Sequence, residues 1–389
     1  MKIAFFSDTY YPQLNGVTIS LDNLAKELLK KGHTVYIFAP KIKAFKDKNK
    51  NIIRIPSFKV LSSEPEVLIP IPSSYRNYAK AFRLKFDLVH AHGNGAYSLL
   101  GYQVARMKQV PFILTFHTFH TKYTHYFLNG KIIKPRMVAT ALRLFANVCD
   151  SIIAPSEKMK KELSLYGVKK NIVIIPNFVD LDYFQKQARG FLHKKFKIPS
   201  KDKILLTVGR LGKEKNFQFT VNVLSKIIKK YNYCHLVIVG QGPEKDSLQE
   251  LVRKYGIEKN VHFANKLDSS YMPSVYADGD IFVFASDSEV HPMVALEAGA
   301  SGLPMVVVKD SAFSNIVIDG FNGFVCKLQE KIFVEKIEQL LENPKLMKEF
   351  GKKSRKIIAE NFSPQLITND LTDHYAKVIS VYKSNPKKT

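Results

Sequence analysis

Cysteine is scarce in this chain. Cys149, Cys234 and Cys326 are far apart and odd in number, which argues against a disulfide framework or a cysteine metal set. They read as small buried fillers in a reducing compartment. No apolar run reaches the roughly 18 residues that a spanning helix needs. The opening "MKIAFFSDTYYP" reads as a buried strand that closes in polar residues. It has no long apolar segment and no small-residue cleavage site, so no signal peptide is expected. Short repeats and low-complexity tracts are missing as well. Acidic residues are in short supply: 34 Asp/Glu face 59 Lys/Arg, a formal net charge of +25. The deficit is uneven. Residues 1–200 hold 32 Lys/Arg against 12 Asp/Glu, and residues 201–389 hold 27 against 22. A basic first half calls for a polyanionic partner: nucleic acid, an anionic membrane surface or an acidic substrate.

What is present is the make-up of a globular protein, with 46% apolar residues over 389 positions, enough for two domains. Strand and helix patterns alternate throughout, which predicts parallel sheets covered on both faces. The first half offers "KIAFFS", "TVYIFAP", "NIIRIPS", "DLVHAHG", "FILTFH", "SIIAPS" and "IVIIPN". The second offers "KILLTVGR", "CHLVIVGQG", "VHFAN", "DIFVFAS", "PMVVV" and "GFVCK". The stretch from Asp180 to Asp202 has no strand pattern and reads as the linker. The expected class is α/β, with two doubly wound, Rossmann-like domains facing a cleft. The first spans 1–185 and the second 186–365, and a C-terminal helix (366–389) packs back on the first. In open α/β sheets, ligands bind at strand carboxyl ends, with phosphates near helix N-termini.

Several polar residues fall at such ends. In "SDSEVHPMVALEAGASGLP", Glu289 lies in the loop after "DIFVFAS", and Glu297 lies two turns into a helix opened by Pro292. Both carboxylates can face one ligand, although a loop glutamate and a solvated helix glutamate fit the same spacing. In "TVGRLGKEKN", Arg210 and Lys215 follow a strand and precede a helix. Two fixed cations there suit a departing diphosphate, or simply a surface loop. Gly240 and Gly242 in "VGQGPEKDS" make a glycine turn that opens a helix. They form a truncated dinucleotide fingerprint or an ordinary tight turn. In "PQLNGVT", Asn15 and Gly16 follow the first strand, and Gly16 permits close backbone approach of a phosphate or sugar.

Taken in order, "NG", "HTFHTKYTHY", "GRLGKEKN", "VGQGP" and the E-x7-E of "EVHPMVALE" resemble retaining nucleotide-sugar glycosyltransferases of the GT-B fold, specifically glycosyltransferase family 4, over nearly the whole chain. The resemblance implies that Arg210 and Lys215 bind the donor diphosphate. It assigns Glu289 to the hydroxyls of the transferred sugar and Glu297 to the donor ribose. Backbone amides from Val290 to Val294, including His291, Met293 and Val294, assist the phosphates, with Gly16 and Gly240 close to the donor. This chain has "VHP" where the family usually carries glycine. The "HTxxxxYxHY" pattern looks like the lipid-acceptor branch, the bacterial diacylglycerol glucosyltransferases. His117 then matches the active-site histidine, and Asn15, Tyr123, His125 and Tyr126 lie on the acceptor side.

No cofactor or metal is expected. The histidines His117, His120 and His125 lack an acidic or cysteine companion, and basic neighbours oppose a cation. The Asp-x-Asp of "DGD" (Asp278, Asp280) precedes its strand, at the wrong end for a cleft. "DLD" (Asp180, Asp182) reads as a chain turn. Between Ser73 and Phe86, Tyr75, Tyr78, Phe82 and Phe86 fall on one helical face beside Arg76, Lys80, Arg83 and Lys85. That is the make-up of an interfacial helix on anionic lipid, or of a core helix with a basic solvated side. The stretch Gly130 to Phe145 is a second, weaker candidate. The expected function is retaining transfer of a hexose, glucose, from a nucleotide sugar such as UDP-glucose to 1,2-diacylglycerol, on the inner face of the cell membrane. The alternatives are phosphatidylinositol, a polyprenyl-linked glycan or a soluble glycan as acceptor, and, more distantly, a basic nucleic-acid-binding protein. No nucleic-acid motif supports the last, and the positive charge is mostly Lys.

Overall fold

The structure is a computed structural model that describes residues 1–42, 45–59, 68–71, 83–119, 134–185 and 189–384. It divides into two units, Met1–Asn177 with the stretch from Pro364 onward, and Phe178–Ser363. In the first unit, β1 (Lys2–Ser7) leads through α1 (Gly16–Lys30) to β2 (Thr34–Pro40) and β3 (Ile52–Ile55). A small antiparallel pair follows, β4 (Ser57–Lys59) with β5 (Leu68–Pro70). The chain then returns as β6 (Leu88–His92), α2 (Ala96–Lys108), β7 (Phe112–Thr115), α3 (Pro135–Val148), β8 (Ser151–Ala154), α4 (Glu157–Leu165) and β9 (Ile172–Ile174). The seven-stranded sheet runs β3-β2-β1-β6-β7-β8-β9, and every pairing in it is parallel. These are the seven strands expected from the first half. They read as continuous apolar runs because helices cover both faces. Ile3, Ala4, Phe5 and Phe6 of β1 are fully buried, and Phe6 stacks on Phe38 of β2 with centroids 4.5 Å apart.

The second unit opens with α5 (Leu181–Gln185) and α6 (Phe191–Phe196). Six parallel strands follow, β10 (Lys203–Val208), β11 (Cys234–Val239), β12 (Val261–Asn265), β13 (Ile281–Phe284), β14 (Met305–Val308) and β15 (Gly323–Cys326). Their connections include α7 (Phe217–Ile227), α8 (Lys245–Tyr255), α9 (Met272–Asp278) and α10 (Met293–Ala300), and α11 (Glu330–Glu342) and α12 (Pro344–Asn361) follow the sheet. The order β12-β11-β10-β13-β14-β15 uses the six expected strands. The unit starts at Phe178, ahead of 185, because α5 packs on α9, where Phe184 meets Tyr276 edge-on at 5.7 Å. The last helix, α13 (Pro364–Ser384), belongs to the first unit, where the Tyr375 hydroxyl lies 2.6 Å from His90 Nδ1.

Each sheet reverses its winding direction once, between β1 and β6 in the first unit and between β10 and β13 in the second. Helices leave opposite faces at such a point, so a crevice opens beyond the strand carboxyl ends. Among the described residues, no helix is long and apolar enough to cross a membrane.

Candidate active site

In the second unit the residues singled out from sequence gather at this reversal point. After β10 the chain makes a short 3-10 turn, Lys213–Lys215, and Asn216 takes a left-handed conformation (φ 53°) that starts α7. The Asn216 amide donates to the carbonyl of Ala285, just past β13, at 3.0 Å. Ser286 Oγ donates to the Glu214 carbonyl at 3.3 Å and to Glu289 Oε1 at 2.6 Å. These bonds lace the two loops together and hold the Lys215 ammonium against the Glu289 carboxylate as an ion pair. Both side chains are largely buried. Arg210 Nη1 lies 3.7 Å from Glu214 Oε1 and is more open to solvent.

The glycine loop after β11 sits against this platform. Gly240 has φ +145°, and a Cβ there would overlap the Gly209 carbonyl oxygen. A Cβ at Gly242 would overlap the Leu211 carbonyl. Leu211 N–H donates to the Gln241 carbonyl at 3.0 Å, and Glu244 N–H donates to the Leu211 carbonyl at 3.0 Å. Both glycines are therefore required by the close approach of two backbones.

Glu297 is buried one turn into α10 and accepts a hydrogen bond from the buried Tyr276 hydroxyl at 2.7 Å. Burial pushes its carboxyl up to about 7, and the Tyr276 bond only partly opposes that shift. Met293 is buried and Val294 partly exposed at the first turn of α10. His291 lies buried with its ring 5.3 Å from that of Phe362, and burial lowers it to about 3, which keeps it neutral.

The first unit presents a different set at the ends of β1, β6 and β7. Asn15 caps α1: its Oδ1 accepts from Thr18 N–H at 2.9 Å, and its Nδ2 donates to Thr9 Oγ1 at 2.9 Å. Gly16 opens that helix and is exposed. His117, just past β7, is half-buried, and its Nε2 lies 3.1 Å from His92 Nδ1 at the end of β6. His90 is held by the Tyr375 hydroxyl and by Thr115 Oγ1 at 2.7 Å. Burial lowers all three histidines, His117 to about 4. Asp8 accepts from the Gly95 and Tyr97 amides at 3.1 and 3.0 Å, and its burial raises its pKa. His90, His92, Asp8, Asn216 and Tyr276 went unremarked in the sequence. The two histidines were visible only as a short H-x-H inside a buried strand.

Other expectations fare differently. Phe86 does not face a lipid surface. It is buried against Tyr36 and Phe38 at ring distances of 5.7 and 6.0 Å, because it lies beside β6 and covers the apolar face of β2. Arg83 and Lys85 are exposed. Tyr75, Arg76, Tyr78, Lys80 and Phe82, and likewise Tyr123, His125 and Tyr126, lie outside the described residues. The carboxylates of "DGD" are engaged in structure. Asp278 accepts from the Gly190 and Leu192 amides, and Asp280 meets Arg189 and Lys203 at 3.1 and 3.2 Å. Asp180 accepts from Tyr183 N–H at 3.1 Å and starts α5.

Two family models match the chain, Glycosyltransferase Family 4 over residues 14–183 and Glycosyl transferases group 1 over residues 188–357. Alpha-monoglucosyldiacylglycerol synthase of Streptococcus pneumoniae is 31% identical over 94% of this chain and 84% of its own length. The enzyme of the same name from Acholeplasma laidlawii is 27% identical over 100% and 99%. Among solved structures, sucrose-phosphate synthase from Thermosynechococcus elongatus superposes with a TM-score of 0.79 at 19% identity, covering 98% of this chain and 99% of that one. Anabaena HepE in complex with UDP-glucose gives 0.78 at 16% identity, covering 97% and 100%. With two parallel Rossmann-like sheets in the GT-B arrangement of these neighbours and a relative above 30% identity over most of its length, the chain belongs to the family 4 glycosyltransferases.

Proposed function

We propose that this glycosyltransferase moves glucose from UDP-glucose to 1,2-diacylglycerol with retention at the anomeric carbon, working without a metal at the surface of the inner face of the cell membrane. The observation that carries the donor half is the Lys215–Glu289 pair, which the laced loops after β10 and β13 hold at the sheet's reversal point. The bond that breaks joins the anomeric carbon to the diphosphate, so negative charge grows on the leaving oxygen. Lys215 and Arg210 stabilise that charge. The diphosphate competes with Glu289 for Lys215, which leaves the carboxylate to accept from sugar hydroxyls. Glu297 accepts from the ribose hydroxyls in its ionised form. His117 is neutral and meets the sugar as a hydrogen-bonding group rather than as a cation.

The acceptor assignment rests on the two relatives named alpha-monoglucosyldiacylglycerol synthase. Purified protein, incubated with diacylglycerol vesicles and a panel of UDP- and GDP-sugars, should yield a monohexosyl lipid only with UDP-glucose. Mass identifies the product, and the coupling constant of its anomeric proton reads retention. A product formed only with phosphatidylinositol, a polyprenyl-linked glycan or a soluble glycan would replace the acceptor and leave the donor chemistry standing. A β-linked product would overturn retention.

A further inference from the structure

Helix α3 inverts the usual layout of a surface helix. Only Leu142 and Ala146 are buried against the rest of the unit. On the other side, Met137, Leu144 and Val148 are 59%, 61% and 47% exposed. Together with the exposed Ala141, they recur at i, i+4, i+7 and i+11, which is one outward stripe. A helix facing water carries polar residues there. A depression lined by Arg136, Met137, Thr140, Ala141 and Leu144 runs along the same face. Helix α3 has no acidic residue, and Lys134, Arg136 and Arg143 are all exposed at or beside it. The Lys169 amide, after α4, donates to Asn147 Oδ1 at 2.9 Å, which brings a further basic residue alongside.

We infer that α3 is a membrane-docking element that lays the Met137–Ala141–Leu144–Val148 stripe on an anionic lipid surface. The stripe stands outward, and the arginines of the helix, Arg136 and Arg143, recur seven residues apart. Alkyl side chains can then enter the acyl boundary while guanidinium groups meet lipid phosphates. The choice of lipid as occupant follows from charge complementarity with a basic half that has 32 Lys/Arg against 12 Asp/Glu. It also rests on the proposed lipid acceptor, though the docking test does not need that acceptor to be correct.

The chain has no tryptophan, so Leu144→Trp supplies a lone fluorescent reporter. Its emission should shift to the blue with vesicles of phosphatidylcholine mixed with phosphatidylglycerol, and bromine-labelled acyl chains should quench it. In co-sedimentation, Met137→Asp with Leu144→Asp should weaken binding to those vesicles by about tenfold or more, because both sites are apolar contacts at the boundary. Arg136→Gln with Arg143→Gln should weaken binding only where phosphatidylglycerol is present, and added salt should mimic that change. All these side chains are exposed, so folding should be unaffected, and hydrolysis of the nucleotide sugar without acceptor checks it. A soluble short-chain diacylglycerol separates the two ideas. If α3 docks the protein, the aspartate variant keeps activity on that acceptor and loses it on vesicles. If no diacylglycerol is used at all, the acceptor assignment fails while the vesicle binding still decides the docking. Vesicle binding by the aspartate variant within about twofold of the parent, or a reporter that stays unshifted while the protein binds, would overturn the inference. So would light scattering that shows the parent as a dimer and the aspartate variant as a monomer with unchanged lipid affinity, since the stripe would then be a contact between copies.

Discussion

The reversal points of the two sheets are built alike and charged differently. At the second, Lys215 and Glu289 are ion-paired and Arg210 lies near Glu214, so fixed charges of both signs await a ligand. At the first, His90, His92 and His117 are kept neutral by burial, and the Asp8 carboxylate is spent on the amides that start α2. One end suits a polyanion whose charge grows during reaction, and the other suits neutral hydroxyls. Among the described residues, the excess of basic residues in the first half is therefore not gathered at this end of the sheet. Helix α3 displays part of that excess at the surface, as Lys134, Arg136 and Arg143.

The largest effects are expected at the charged end. Lys215→Ala should lower kcat by an amount equivalent to roughly 2–4 kcal/mol, with Arg210→Ala similar, because each removes a cation from the leaving diphosphate. Steady-state kinetics with folded variants check this, and activity within threefold of the parent would sink the diphosphate assignment. Chelation by EDTA should leave turnover unchanged, whereas loss restored by Mg²⁺ or Mn²⁺ would show that the cations do not suffice.

Next in size is a change of backbone space. Gly240→Ala combines positive φ with overlap on the Gly209 carbonyl, so it should cost on the order of 3 kcal/mol or prevent folding. Gly256→Ala, at φ +65° with nothing within 4 Å of a new Cβ, should cost only about 1 kcal/mol. Urea denaturation of both measures the difference, and equal costs would mean that the loop after β11 does not press on the Gly209 carbonyl.

Glu297 is a carboxyl that burial holds near neutrality. Raising it from 4.5 to about 7 reflects roughly 3 kcal/mol of disfavour for its charged form. Donor binding that needs the carboxylate should therefore strengthen as pH rises through about 7 and weaken below it. The stability sign is opposite: the folded state holds the extra proton, so Glu297 lowers stability as pH climbs from about 4.5 to 7. Glu297→Gln should raise the donor KM and flatten both profiles. A parent KM that is level from pH 6 to 8 would remove Glu297 from the ribose.

The smallest effect belongs to the neutral end. His90→Phe loses its hydrogen bonds to Thr115 and Tyr375 and should cost about 1–3 kcal/mol of stability. Donor hydrolysis per folded molecule should stay level, because no donor charge changes. A large loss of hydrolysis would show that His90 itself serves donor chemistry.

All thirteen strands of the two parallel sheets were legible as apolar runs, since a strand covered on both faces has no polar side to mask it. The three-residue pair β4 and β5 was too short to leave a pattern. The order of motifs was enough to identify the family and to mark Arg210, Lys215, Glu289 and Glu297. Tertiary structure alone decided how they are held. Tyr276 reaches Glu297 from another helix, and Asn216 ties one loop to the end of another strand. Burial, which no local pattern records, raises the Glu297 carboxyl. The same cause turned Phe86 inward while leaving Met137 and Leu144 facing out. A helical stripe shows that one side of a helix is apolar, but whether that side meets core or water depends on residues distant in the chain.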